Sequence, residues 1–413
     1  MLKLYFYRLL SILIVFYAGL SASLAHENSN QQTWISAWYS PIDSAGPAIP
    51  PSTIRQWLRT SIGGNKIRVR FSNRFGETPL SLTSVSIAKS PAKFKVDLRD
   101  SKTLSFGGLP TVIIYPGEEI VSDPVDMEVK ALQTLAISFF TPTGATQTSL
   151  HGASMQNAFL FNDKNIAHEE TWETETRDDS RYFISGLEVL SASTSKVIVI
   201  IGDSITDGVG IENDNYHRWP DFLSERIQQR PELSHLAVVN AGIAGNRVMR
   251  DAATPFVGTA AISRFDTDVL QQRAIQSIIF LQGTNDILAN TLLQAAEQQV
   301  SLNELIAGIE SLIAKSHAHG YKIYGGTLTP RAGSTGILTH TEDAEKMRQQ
   351  LNTWIRTSGK FDAVIDFDAV LRDPQQTHRL NPRFDSGDHT HPNAAGYKAM
   401  AMAIDLKLFD AKF

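Results

Sequence analysis

Hydrophobic and polar positions change rhythm once along this chain. Before about residue 190 the apolar residues alternate or come in short runs. Lys66-Ile67-Arg68-Val69-Arg70-Phe71 alternates strictly, which puts Ile67, Val69 and Phe71 on one face of a strand and the basic residues on the other. Further runs at Val85 to Ala88, Thr111 to Tyr115, Leu135 to Phe140 and Phe159 to Phe161 are separated by turn-forming clusters such as Phe106-Gly107-Gly108-Leu109-Pro110 and Pro116-Gly117-Glu118. The pattern predicts an antiparallel, β-sandwich-like domain over residues 31–190. Arg68 and Arg70 read most simply as solvated residues of an edge strand. Trp34, Trp38, Tyr39, Trp57 and Trp172 read as core, with a sugar-stacking platform as the other possibility.

The small, polar stretch Leu190 to Lys196 precedes a different rhythm. Over residues 195–413, apolar runs at Val197 to Ile201, Ala237 to Val239, Ser277 to Leu281, Ile323 to Leu328 and Ala363 to Phe367 alternate with helical patterns. Trp219, Phe222, Leu223, Arg226 and Ile227 recur at helical spacing behind Pro220. Leu302, Leu305, Ile306, Ile309, Leu312 and Ile313 form a wider stripe ending near Gly320, and Met347, Leu351, Trp354 and Ile355 repeat it. This is the rhythm of an α/β, doubly wound, mainly parallel five-stranded sheet.

The first residues follow neither pattern. Lys3 and Arg8 precede the apolar run Leu9 to Leu20, and Ser23-Leu24-Ala25 fits a signal-peptidase site. Residues 1–25 therefore read as a cleavable signal peptide cut after Ala25, leaving a secreted or periplasmic protein without a stable membrane anchor. Cysteine is absent, so neither a disulfide framework nor a thiolate nucleophile is available. A net charge of −5 shows no basic excess and argues against a nucleic-acid partner. The sequence gives no oligomeric state.

Chemistry collects where the parallel strands end. Ser204 follows the first strand, Asn240-Ala241-Gly242-Ile243-Ala244-Gly245-Asn246 the second, and Gly283-Thr284-Asn285-Asp286 the third. Open α/β sheets bind ligands at that edge. A serine nucleophile needs an imidazole to take its proton and a carboxylate to orient the imidazole. The late segment Asp385-Ser386-Gly387-Asp388-His389-Thr390-His391-Pro392 holds both types. Asp388 and His391 are preferred because Pro392 would open the last helix directly after the histidine, yet locally Asp385 and His389 remain competitors. Candidate donors for a tetrahedral oxyanion are the Ser204 and Gly245 amides and the Asn285 side chain.

Taken in order, Gly202-Asp203-Ser204, Gly245, Gly283-Thr284-Asn285-Asp286 and Asp388-His389-Thr390-His391 resemble the four sequence blocks of the SGNH/GDSL hydrolase family, with Ile205 at the usual leucine. The resemblance covers about residues 197–405 and implies a flavodoxin-like SGNH fold. It also implies Ser204 as nucleophile and oxyanion donor, Gly245 and Asn285 as the other donors, His391 as base and Asp388 as its orienter, with no cofactor and no metal. Arg218-Trp219-Pro220-Asp221-Phe222-Leu223, Arg264-Phe265-Asp266 and Phe384-Asp385-Ser386-Gly387-Asp388 are similar to a secreted bacterial esterase subgroup with an added N-terminal β domain.

The expectation is a serine esterase acting through an acyl-enzyme on short acyl groups of a polysaccharide or on small aryl esters. A lipase or lysophospholipase-type acylhydrolase is the alternative. A non-catalytic carbohydrate-binding protein would not need the complete Ser, Gly, Asn, Asp and His set. A metal-dependent hydrolase could draw on Asp203, Asp207, Asn285, His389 and His391, but the histidine spacing of a zinc site is missing.

Overall fold

The computed structural model describes residues 31–410 except 171, 173–175, 252–256 and 294. The expected signal peptide, with its cut after Ala25, lies outside the described residues.

Strict alternation becomes antiparallel sheet. Strands β1 (Gln32–Tyr39), β2 (Ser52–Arg59), β3 (Gly64–Ser72), β4 (Leu80–Lys89), β5 (Thr134–Thr141), β6 (Thr148–His151), β7 (Ala158–Asn162) and β8 (Ile184–Ala192) carry most of it. One sheet runs β1-β8-β3, with short strands Glu119–Val121 and Val125–Val129 on the far side of β3. A second contains β7-β2-β5-β4 in that order. Strand β6 sits apart, between Ser44–Gly46 and Arg181–Tyr182. The two large sheets share one core: Ile67, Val69 and Phe71 of the first and Ile54, Ile87, Ile137 and Phe139 of the second are fully buried. The Phe71 and Phe139 rings meet edge to face at 5.7 Å across that core.

One expectation changes here. Strand β3 is central, not an edge, because β8 pairs along one side and two short strands along the other. Arg68 and Arg70 are accordingly not simply solvated; both pair with Glu188, which is buried on the neighbouring strand and is also reached by Arg273. The core reading of the aromatic residues, and not the platform, describes Trp38, Tyr39, Trp57 and Trp172, which pack on the hydrophobic clusters. Trp57 packs between Phe94 and Phe159, while Trp34, Trp38 and Trp172 each lie beneath a guanidinium, of Arg68, Arg181 and Arg55.

The antiparallel ladder ends at Ala192, and four residues later a parallel sheet starts. Its elements are β9 (Lys196–Gly202), α1 (Ser204–Asp207), α2 (Trp219–Gln228), β10 (Leu236–Gly242), β11 (Ile275–Leu281), α3 (Thr284–Leu292), α4 (Leu302–Ala318), β12 (Lys322–Gly326), α5 (Glu342–Thr357), β13 (Ala363–Ile365) and α6 (Ala394–Ala403). The order β10-β9-β11-β12-β13 is parallel throughout, so the chain steps outward one way from β9 and then the other. Val197 to Ile201 are fully buried because helices cover both faces, which explains a continuous apolar run instead of an alternating one. Helix α4 starts on a capping box, with Ser301 and Glu304 each satisfying the other's backbone amide, and Leu305, Ile309 and Leu312 turn inward.

The antiparallel region docks on this sheet through polar contacts. Tyr39 donates to Asp268, Arg59 to Glu225, and the Val238 amide to Ser61.

Candidate active site

Strand register brings the polar blocks together. Gly202 aligns with Gly242 on one side and Leu281 on the other, so Ser204, Gly245 and Asn285 all lie just beyond one row of residues at the carboxyl edge. Gly202 permits the sharp exit from β9: a Cβ there would stand 2.2 Å from Thr206 Oγ1. Asp203 then caps α1, its Oδ1 accepting the Ile205 amide at 3.1 Å. Burial pushes the Asp203 carboxyl up to about 6. It serves the turn and makes no hydrogen bond to His391 among the described residues.

The imidazole arrives from the far end of the chain. His391 Nε2 is 2.8 Å from Ser204 Oγ, and its Nδ1 is 2.5 Å from Asp388 Oδ2. The other Asp388 oxygen accepts the amides of Thr390 and His391 and the Ser386 hydroxyl. Burial alone would raise the Asp388 carboxyl, but the His391 ring and these amides hold it well below the usual carboxylate range. Asp388 is thus an anion facing the imidazole, which fixes the ring with a proton on Nδ1 and leaves Nε2 to accept from the serine. Helix α6 supports the arrangement: Tyr397, buried in its second turn, donates to the Val209 carbonyl at 2.5 Å, tying the helix to the loop after α1.

His389 and Asp385 form a second pair, Nδ1 to Oδ2 at 2.5 Å, that does not reach Ser204. The His389 side chain is 52% exposed and its backbone is left-handed, with φ of 62°, so its ring is turned away toward Gly333.

Gly245 occupies φ of 74°, and a Cβ there would lie 2.4 Å from Val257 Cγ1, so a side chain is excluded twice over. Asn285 donates one amide hydrogen to the Asn246 carbonyl at 3.0 Å, joining the second and third blocks and leaving the other hydrogen unused by that bond.

Several residues that the sequence named without a role turn out to support the site, because their partners are distant in the chain. Buried Asn246 donates to the Val257 and Thr259 carbonyls and accepts from Arg264 and Gln282. Arg264, also buried, reaches the Gly202 and Ala241 carbonyls and Asp268. Asp286 accepts the Val248 and Met249 amides. Asp207, in the last position of α1, accepts the Ala244 amide at 3.0 Å and faces His151. Asn246 and Asp286 fall within the sequence blocks and Arg264 within the subgroup motif, whereas Gln282 and His151 carry no sequence signal.

Among the described residues no cluster of three or more His, Cys, Asp or Glu could hold a metal ion. No helix there is long and apolar enough to cross a membrane.

A hydroxyl, imidazole and carboxylate in line at the ligand edge of a doubly wound sheet form the arrangement a serine hydrolase needs. The model of the GDSL-like Lipase/Acylhydrolase family matches residues 198–404, and the chain belongs to that family. It is a carboxylic-ester hydrolase. Solved structures similar to it include a GDSL-like lipase from Bacteroides thetaiotaomicron, 20% identical over 52% of this chain and 88% of that one with a TM-score of 0.39. Another is a catalytic mutant of an acetylxylan esterase from Geobacillus stearothermophilus, 22% identical over 50% and 91% of the two chains with a TM-score of 0.38. No curated protein matches the chain.

Proposed function

We propose that Ser204 is the nucleophile of an acyl-enzyme mechanism, with His391 as its base and Asp388 as the group that orients the base. The observation that carries this reading is the unbroken chain from Ser204 Oγ through both ring nitrogens to Asp388. In the first step His391 Nε2 takes the serine proton as Oγ bonds to the ester carbonyl carbon. The carbonyl oxygen becomes an oxyanion, met by the Ser204 and Gly245 amides and the remaining Asn285 amide hydrogen. Collapse breaks the bond to the leaving oxygen, which takes the proton back from His391. A water molecule, deprotonated by the same ring, then releases the acid.

The proposed substrates are short acyl esters, on a polysaccharide or a small aryl alcohol, handled outside the cytoplasm after removal of residues 1–25. Purified protein should hydrolyse p-nitrophenyl acetate and release acetate from acetylated xylan, and Ser204→Ala should abolish both. Turnover that falls steeply beyond butyrate fits this reading. Equal or faster turnover of long-chain esters would replace it with a lipase-type activity. Export is checked by the N-terminus of the extracytoplasmic protein, expected at His26.

A further inference from the structure

The junction between the antiparallel region and the parallel sheet contains a buried side-chain chain that the mechanism above does not use. His151, at the end of β6, is 2% exposed, and its two ring nitrogens face two carboxylates. Nδ1 is 2.8 Å from Asp43 Oδ2, and Nε2 is 3.0 Å from Asp207 Oδ1. Asp43 is anchored within the antiparallel region, where it accepts the Gly152 amide and the Ser44 hydroxyl. Asp207 belongs to the other side: it closes the turn that begins at Ser204, and its Oδ2 accepts the amide of Ala244, the residue before Gly245.

We propose that His151 is a positioning residue, supplied by the N-terminal region, that holds Asp207 and through it the Ala244–Gly245 backbone in the orientation the oxyanion requires. This rests on the oxyanion role proposed for Gly245. A carboxylate with one oxygen on an amide and the other free could rotate and carry the loop with it; a cation gripping the second oxygen removes that freedom. Burial alone would lower the imidazole pKa, but Asp207 and then Asp43 override it and raise it to about 10, so the ring is charged at neutral pH. Arg59, Arg181 and Arg218, with Asp221, line the same small cavity of about 60 Å³ beside His151 and Asp207. Arg218 also donates to the Asp207 carbonyl at 2.6 Å, fixing the backbone while His151 fixes the side chain.

The experiment uses the full chain, p-nitrophenyl acetate as substrate and a methyl trifluoromethyl ketone as probe. Ser204 adds to the ketone carbon, His391 takes the serine proton, and the ketone oxygen becomes an oxyanion in the same place as in catalysis. His151→Gln should lower kcat by about 10-fold with little change in KM, less than the roughly 10²–10³-fold expected for losing a donor outright. Affinity for the ketone should fall by the same factor. The double variant of His151→Gln with Asp207→Asn should lose no more than Asp207→Asn alone, because both break one contact. Asp43→Asn, which keeps acceptors for Gly152 and Ser44, should show a smaller loss of the same kind if His151→Gln does not fold. Lower thermal stability with kcat and ketone affinity intact would overturn the proposal. Asn285→Ala separates the two readings: if it leaves ketone affinity unchanged, the oxyanion assignment itself fails, whereas if it weakens the ketone and the His151 and Asp43 variants do not, only this inference fails.

Discussion

His389 and His391 each hold an aspartate at 2.5 Å, and His391 is the one placed 2.8 Å from Ser204. Side-chain chemistry cannot tell these pairs apart; position does. His391→Ala should therefore lower kcat by about 10³-fold or more, as should Ser204→Ala, with circular dichroism unchanged. His389→Ala should stay within a few-fold of the parent, and an equal loss would mean that the proposed base is wrong. Asp388→Asn keeps the shape but presents the wrong charge to the ring, and a fall in kcat on the order of 10⁴-fold is expected, the size seen for the same change in a serine protease triad. Asn285→Ala tests the oxyanion side, where roughly 10²–10³-fold in kcat is the expected loss.

At the scale of elements, the loop from Ile243 to Asn246 is the part most dependent on others. It has no repeating pattern of its own. Its conformation is imposed by Asn246 on Val257 and Thr259, by Arg264 spanning β9 and β10, and by Asp207 on Ala244. Arg264→Met would leave buried Asp268 and Asn246 short of a donor, and a loss of about 3–5 kcal/mol is expected, read as a fall in urea midpoint. The regular elements are different. The runs at residues 197–201, 237–239 and 277–281 became β9, β10 and β11 with ends displaced by only a few residues, because a strand buried on both faces must be apolar throughout. Alternation served equally well at β3, although it could not reveal that β3 is central. Alternation reports which face is buried and is silent on how many neighbours pair along the edges.

The whole molecule adds a pH dependence. His151 has a folded-state pKa of about 10 against an unfolded value near 6.5. Its contribution to stability is complete below the unfolded value and is lost as pH rises toward the folded one. Melting temperature should therefore decline between about pH 7 and 10, and the decline should be shallower in His151→Gln. A parallel profile for the two proteins would show that the ring is not held as a cation between Asp43 and Asp207. At the acid end Asp388 works in the opposite sense, since its lowered folded pKa gives stability that is lost as pH falls.

The two rhythms, the five parallel strands and the residue types at their carboxyl ends are legible in the chain alone, because periodicity and strand-end position are local properties. The choice of His391 over His389 is already implied by the resemblance of the four blocks, and packing brings that ring to Ser204; only packing shows that Arg68 and Arg70 surround a buried glutamate and that His151 lies between Asp43 and Asp207. Each of those outcomes depends on contacts between residues far apart in sequence. Spacing along a chain carries no information about such contacts until packing has fixed which elements are neighbours.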